Sequence, residues 1–497
     1  MRELADRLAA LRGALVLVVL CALPLALWAG SVSLDSRFDG RYATLTSLAV
    51  LAAYAGTAAF ALNLVLGARL RPVEALFGGL ERMYDAHRVN GQVAFALLLG
   101  HVALILASRA TISTSTAFDL LQPGAGWTVF AGVLAFAGMT LAIVLTLFVR
   151  LGHEFFVYVQ RSFGVVFLGA TYHVFTTDGA LDDAAALHVY MASVATVGIA
   201  AFVYRSVLGN LLVRRLKYRV TAVNRLDEFV TEVVMEPRDR PLAFAPGQFL
   251  FVNFREPFSE QFPPFLRNQF HPFSITSAPG EPTLRITVKA VGDYTRALRA
   301  LEPGAEAVVE GPYGSFSSRD VPNDRQIWIA GGIGVTPFLS MARSLNGRAR
   351  DIDFYYCVEH APEAHFLDEL RGIAREREDF RIVLVPRDRD GFLTAERVAR
   401  EQADVGSADI LVCGPPAMID SLRSQLAEHG LARERFHAEE FGFAKIGRPP
   451  AAEASELSPS AVASDPKLLV SLFAMAFAGP ALAIAVLVGA YLLARGL

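Results

Sequence analysis

Two histidines, His87 and His101, bracket the apolar stretch HRVNGQVAFALLLGH, and a third, His173, closes a second apolar stretch, EFFVYVQRSFGVVFLGATYHVF. Imidazole is a common ligand for haem iron and other metals, and ionisable groups are rare in hydrocarbon unless they are paired or functional. On an ideal helix the fourteen residues between His87 and His101 leave them within about 40° of one face and about 21 Å apart along the axis. One helix would then offer imidazoles at two membrane depths. Two readings follow. Either His87 is interfacial and His101 hydrogen-bonds a neighbouring helix, or two stacked haems are each gripped between histidines of two helices.

The second reading requires matching histidines elsewhere. His173 supplies one at the level of His101, because its helix runs in the same direction, and the two would hold one iron from both sides. Thirteen residues earlier, where an inner partner for His87 is wanted, stands Gln160, a poor haem ligand. His153 and His188 fall at other depths. Arg88 and Arg161 suit propionates, a flavin phosphate, or an ordinary cytoplasmic helix end.

The positioning elements follow from hydropathy. The chain has 497 residues, 53% hydrophobic and 19% charged, with a mean hydropathy of +0.38, which is unlike a wholly soluble protein. Apolar runs at about 13–30, 43–67, 89–109, 127–149, 156–175, 188–208 and 468–494 are each long enough to cross about 30 Å of hydrocarbon as helix. The first resembles a signal peptide, yet five more runs follow quickly without a clear cleavage site, so a retained helix is expected. Lys and Arg gather before the first run and in the loops 67–88, 150–161 and 204–219. This places the N-terminus and the region after residue 212 in the cytoplasm.

Residues 213–445 lack such runs and alternate strand and helix patterns with Gly/Pro punctuation, as a two-domain soluble module does. The segment GRPPAAEASELSPSAVASDP is a flexible tether. The expected architecture is a multi-domain membrane protein: a six-helix transmembrane bundle (1–212), a β-barrel domain (213–320), an α/β parallel-sheet domain (321–445), a linker (446–466) and an extra C-terminal transmembrane helix (467–497). A net charge of −3, with no basic cluster interleaved with aromatics, sets nucleic acid aside. Cys21, Cys357 and Cys413 are too few for an iron–sulfur cluster or a disulfide framework, so redox chemistry would fall to an organic cofactor or haem. Nothing identifies a protein partner.

The string FHPFSITSAPGEPTLRITVKAVGDYTRAL followed by EGPYGSFS resembles the flavin-binding barrel of the ferredoxin–NADP reductase superfamily, in the form found in NADPH oxidases and ferric reductases. The resemblance implies that Pro272, Phe273, Ser274 and Thr276 line the isoalloxazine, and that Lys289, Gly292 and Thr295 approach the FAD diphosphate. His271 stands where soluble members more often carry arginine. A hydroxyl near the flavin hydrogen-bonds its reacting nitrogen, and glycine lets main-chain N–H groups approach phosphate.

In QIWIAGGIGVTPFLSM an apolar strand meets a glycine turn and a helix start. Gly331, Gly332 and Gly334, with Thr336 and Pro337, permit close approach of a dinucleotide diphosphate. In DILVCGPPAM, Cys413, Gly414 and Pro415 end another strand, and by the resemblance Cys413 lies beside the nicotinamide carbon; otherwise it is a small buried hydrophobe. Phe441 or Phe443 of EEFGF would cover the flavin's other face. Glu359, ending the domain's second strand, leans toward NADH, unless folding brings Arg387 or Arg389 near.

The whole resembles a membrane flavocytochrome of the integral type in a bacterial inner (plasma) membrane. Cytoplasmic NAD(P)H would reduce FAD, and membrane haem b would carry electrons to an external small-molecule acceptor, a ferric or other metal ion first and dioxygen second. Asp178, Asp182 and Asp183 of an outer loop would attract cations or be solvated bystanders. Gln160 leaves open one haem or two. It also keeps alternatives: flavin reaching a vacant inner site, or a membrane-anchored flavin reductase serving a quinone or partner protein.

Overall fold

The computed structural model describes residues 2–440 apart from 32, 150–152, 178–180, 182–183, 256–262, 264–266, 268, 346–349 and 403–404. The aspartates 178, 182 and 183, Phe441, Phe443, the linker and the C-terminal helix lie outside the described residues. Two compact units divide at Val213/Arg214.

The first unit is helical. Its long helices are α1 (Arg2–Ala29), α2 (Gly40–Gly67), α3 (Leu80–Ala110), α4 (Trp127–Phe148), α5 (His153–Thr176) and α6 (Ala185–Phe202). Among the described residues, five segments are long and apolar enough to cross a membrane: Leu11–Ala29, Gly40–Gly67, Arg82–Ala110, Trp127–Phe148 and Ala185–Val207. The expected sixth span, α5, is not among them; it carries Gln160, Arg161 and His173.

Small residues bring these helices together, as they do wherever lipid removes the hydrophobic drive between helices. A Cβ on Gly56 of α2 would stand 2.9 Å from Leu98 of α3, and one on Gly198 of α6 would stand 3.0 Å from the Ala61 main chain. Ala58, Phe60, Met139, Phe167 and Val194 form a shared core. Val18, Leu134, Val165 and Val189 remain exposed, an outward apolar surface suited to lipid.

The second unit begins with a six-stranded barrel-like sheet: β1 (Leu216–Arg225), β2 (Val230–Pro237), β3 (Phe249–Arg255), β4 (His271–Ser274), β5 (Leu284–Lys289) and β6 (Glu306–Tyr313). The order is β4-β3-β6-β1-β2-β5, the paired strands are antiparallel, and an Ile275–Ile286 bridge ties the two edges. In β1, Leu216, Tyr218 and Val220 are buried while Lys217 and Arg219 are exposed, the two-residue period of a half-buried strand.

A five-stranded parallel sheet follows: β7 (Arg325–Gly331), β8 (Asp351–Val358), β9 (Phe380–Pro386), β10 (Asp409–Gly414) and β11 (Phe436–Glu440). Its central runs are apolar on both faces because both are covered. One face carries a core of Trp328, Phe338 and Phe354, the other Ile329, Ile410 and Leu422. The order β11-β10-β7-β8-β9 reverses direction between β7 and β10. In open α/β sheets the crevice beyond the strand ends at that reversal is where ligands bind.

Side chains fasten barrel and parallel sheet within this unit. On helix α7 (Val335–Ala342), Ser340 Oγ donates to the Ser277 carbonyl at 2.7 Å, and just after it Arg343 donates to the Thr276 carbonyl at 2.6 Å. His365 meets Asp227 at 2.6 Å.

Candidate functional site

In the membrane unit, α3 and α5 bring His101 and His173 face to face, with ring centres 6.4 Å apart and planes at 56°. Two metal–nitrogen bonds of about 2 Å, plus about 1.1 Å from each nitrogen to its ring centre, require about 6.2 Å between two imidazoles that share one metal. His101 Nδ1 lies 2.9 Å from the Ala49 carbonyl of α2, and His173 Nδ1 lies 2.9 Å from the Thr128 carbonyl of α4. A carbonyl only accepts, so each Nδ1 carries the proton and each Nε2 keeps its lone pair, the tautomer a metal ligand needs. The residues fit a haem held from both sides.

Gly132 of α4 makes room for this arrangement. A Cβ there would stand 2.8 Å from the His173 ring. Neither Gly132 nor the two carbonyl acceptors were apparent in the sequence, since main-chain acceptors are common to every residue and become specific only by helix pairing. Gln160, on the same helix as His173, donates to Thr146 Oγ1 at 3.2 Å. His188 is exposed at the edge of Phe175.

The residues expected to line the flavin centre on β4. His271, Pro272 and Phe273 are half exposed, whereas Ser274 is buried. The hydroxyls of Ser274 and Thr276 are buried without a hydrogen-bond partner, an expensive state unless a ligand supplies one. His271 stacks on Tyr294 with ring centres 3.6 Å apart, and its Nε2 meets Gln269 Oε1 at 2.8 Å. Lys289 ends β5 half exposed. The Thr295 hydroxyl accepts from the main-chain N–H groups of Val291 and Gly292 at 3.0 and 2.9 Å. These groups shape the turn beside Tyr294 and are engaged with each other.

The residues expected to meet the nicotinamide lie at the reversal between β7 and β10. Cys413 pairs in register with Ala330 and with Glu439 and is fully buried. Gly331 and Gly334 stand where two strand ends approach closely. A Cβ on Gly331 would stand 2.8 Å from Pro415, and one on Gly334 would stand 2.1 Å from the Cys413 carbonyl oxygen. Their missing side chains let two strand ends touch. Gly332, at φ +54°, faces open space and, with the exposed Pro415, forms the accessible lip. Gly414 is buried against Gly331. Thr336 is buried, its hydroxyl donating to the Ile333 carbonyl at 3.0 Å, and Pro337 is buried in the same helix.

At the end of β8, Glu359 pairs with Arg387, whose Nε lies 2.8 Å away. Arg389 is taken by Asp390 at 2.7 Å. Burial pushes the Cys357 thiol, at the end of β8, up to about 12, so it is an inert packing group at neutral pH. Sequence reasoning missed Arg343. It bonds Glu369 through both Nε and Nη2 as well as the Thr276 carbonyl, and the oxygens that give it meaning are distant in sequence.

Comparison with known proteins identifies the domains. The family described as "Ferric reductase like transmembrane component" matches residues 52–171, "FAD-binding domain" matches 215–317, and "Oxidoreductase NAD-binding domain" matches 328–424. The chain is an NAD(P)H-dependent oxidoreductase. More particularly, it has the fused architecture in which a ferric reductase-like membrane component precedes a ferredoxin–NADP reductase-type module.

The chain is 25% identical over 262 residues to the reductase component of propane 2-monooxygenase from Rhodococcus jostii, covering 50% of this chain and 69% of that protein. It is 30% identical over 251 residues to a flavohemoprotein of Rhodopirellula baltica, covering 45% and 59%. Among solved structures, the FAD/NAD-binding domain of nitric oxide dioxygenase from Vibrio cholerae is similar, with 21% identity, a TM-score of 0.40, and coverage of 46% of this chain and 98% of that one.

Proposed function

We propose that the chain passes electrons from cytoplasmic NAD(P)H through FAD and a haem b held by His101 and His173 to an acceptor outside the membrane, a ferric or other metal ion before dioxygen. The observation that carries this reading is the 6.4 Å facing of the two imidazoles. When bound, FAD turns the two-electron donation of nicotinamide into the single-electron transfers that haem accepts.

The chain's residues bind and orient. Ser274 Oγ offers a hydrogen bond to a ring seated on β4, and Pro272 and Phe273 line its face. Cys413 and Gly414, at the end of β10, border the nicotinamide's place beside β7, while Gly332 leaves its main chain open to the diphosphate. Residues 1–212 form the membrane domain with six crossings, 213–320 the FAD domain and 321–445 the nucleotide domain. The basic loops support a cytoplasmic module at a bacterial inner membrane.

A membrane-anchored flavin reductase serving a quinone or partner protein is the second reading. It draws on Gln160, which is engaged with Thr146. Intact cells supplied with a membrane-impermeant ferric chelate separate the two. Reduction that depends on this chain is expected, and its absence, with NADH-driven quinone reduction in broken membranes, overturns the transmembrane route.

A further inference from the structure

Four turns before His101 on α3, His87 repeats its setting. His87 Nδ1 lies 3.1 Å from the Asn63 carbonyl of α2, as His101 Nδ1 lies 2.9 Å from that of Ala49. The histidines are fourteen positions apart on one helix, and their carbonyl partners are fourteen positions apart on the antiparallel neighbour. The α2–α3 pair therefore builds one device twice, and in both places Nε2 is left with its lone pair.

His173 faces His101, whereas thirteen residues earlier on the same helix stands Gln160, bonded to Thr146. The nearby amides are engaged elsewhere: Asn90 Nδ2 donates to the Ala59 carbonyl at 2.7 Å and to Asn63 Oδ1 at 3.2 Å. Cys21 Sγ donates to Asn90 Oδ1 at 3.7 Å. No second imidazole stacks against His87 among the described residues.

We infer that His87 holds a second haem from one side only, leaving its sixth position open to a small neutral diatomic ligand. This rests on the reading of His101 and His173 as the two-sided pair, and it deepens that reading by separating two haems by ligation. An iron with two imidazole ligands has no open position, whereas an iron with one binds carbon monoxide when reduced.

The test uses the full-length chain purified in detergent, with total haem by extraction and the reduced spectrum recorded with and without carbon monoxide. About half of the haem is expected to respond to the gas. His87→Ala should abolish the response and leave the two-sided signal. Gln160→His should abolish the response while haem content stays unchanged, because a second imidazole closes the open position; this variant keeps the idea testable if His87→Ala fails to fold. Two haems that both ignore carbon monoxide overturn the inference, as does a response that survives His87→Ala. Failure of the underlying reading looks different: the two-sided signal would survive both His101→Ala and His173→Ala.

Discussion

Gly334 packs so tightly on Cys413 that a Cβ at position 334 would stand 2.1 Å from the Cys413 carbonyl oxygen. The contact joins the turn after β7 to the end of β10, the two strands that flank the sheet's reversal. Gly334→Ala should push these ends apart at an overpacking cost of about 1–3 kcal/mol. Flavin reduction by NAD(P)H should slow about tenfold or more while FAD stays bound. Stopped-flow flavin absorbance checks this, and an unchanged rate would mean that the strand ends do not shape the nicotinamide site.

His101→Ala and His173→Ala should each abolish the haem signal of the two-sided site, because one imidazole cannot maintain that coordination. Gly132→Leu should do the same with both histidines intact, since its side chain must occupy the place of the His173 ring. Reduced-minus-oxidised spectra read all three variants. Full signal in Gly132→Leu would show that α4 yields and that the glycine is incidental.

Cys413→Ala removes a sulfur from a fully buried position. It should slow flavin reduction several-fold and leave FAD content unchanged. If thermal stability falls and the reduction rate does not, Cys413 is a packing residue only.

Arg343 ties α7 to the carbonyl of Thr276, two residues past Ser274. Arg343→Gln should tilt the nucleotide domain against the flavin, and small misplacements of reacting groups cost up to about a hundredfold. The effect should fall on the limiting rate of flavin reduction more than on the NAD(P)H concentration that half-saturates it. Glu369→Gln, which keeps the Thr276 bond, should have the smaller effect. An equal loss in both variants would assign the effect to the Arg343–Glu369 pair instead.

Acid should loosen the parallel sheet through Asp353. Burial raises the pKa of this carboxyl, but hydrogen bonds from Arg381 and Arg325 outweigh it and hold it below the ordinary carboxylate range. A depressed folded value means that the stabilisation is fully present above the unfolded pKa of about 3.9 and is lost as pH falls through the folded one. Asp353→Asn should destabilise the sheet by about 2 kcal/mol at neutral pH and flatten the acid limb of the stability curve. A variant whose acid limb matches the parent would place the acid sensitivity elsewhere.

Much of the architecture was legible in the sequence because it is written in local patterns. Runs of apolar residues marked the helices, and continuous apolar strings marked β7 and β10. The flavin and nucleotide segments were identifiable from their order along the chain. The run at 156–175, expected as a sixth span, is not among the five described segments long and apolar enough to cross a membrane, because α5 carries Gln160, Arg161 and His173.

The residue types able to do chemistry, His87, His101, His173, Ser274 and Cys413, were therefore available from the sequence alone. Which of them meet was decided by packing. Helix pairing selected the Ala49, Asn63 and Thr128 carbonyls that set the imidazole tautomers. Strand order made Gly331 and Gly334 spacers between strand ends and left Gly332 open. Domain docking aimed Arg343 at Thr276. Hydropathy is a property of neighbours in sequence, whereas a hydrogen bond or a clash belongs to groups that only the folded chain brings within a few ångströms of each other.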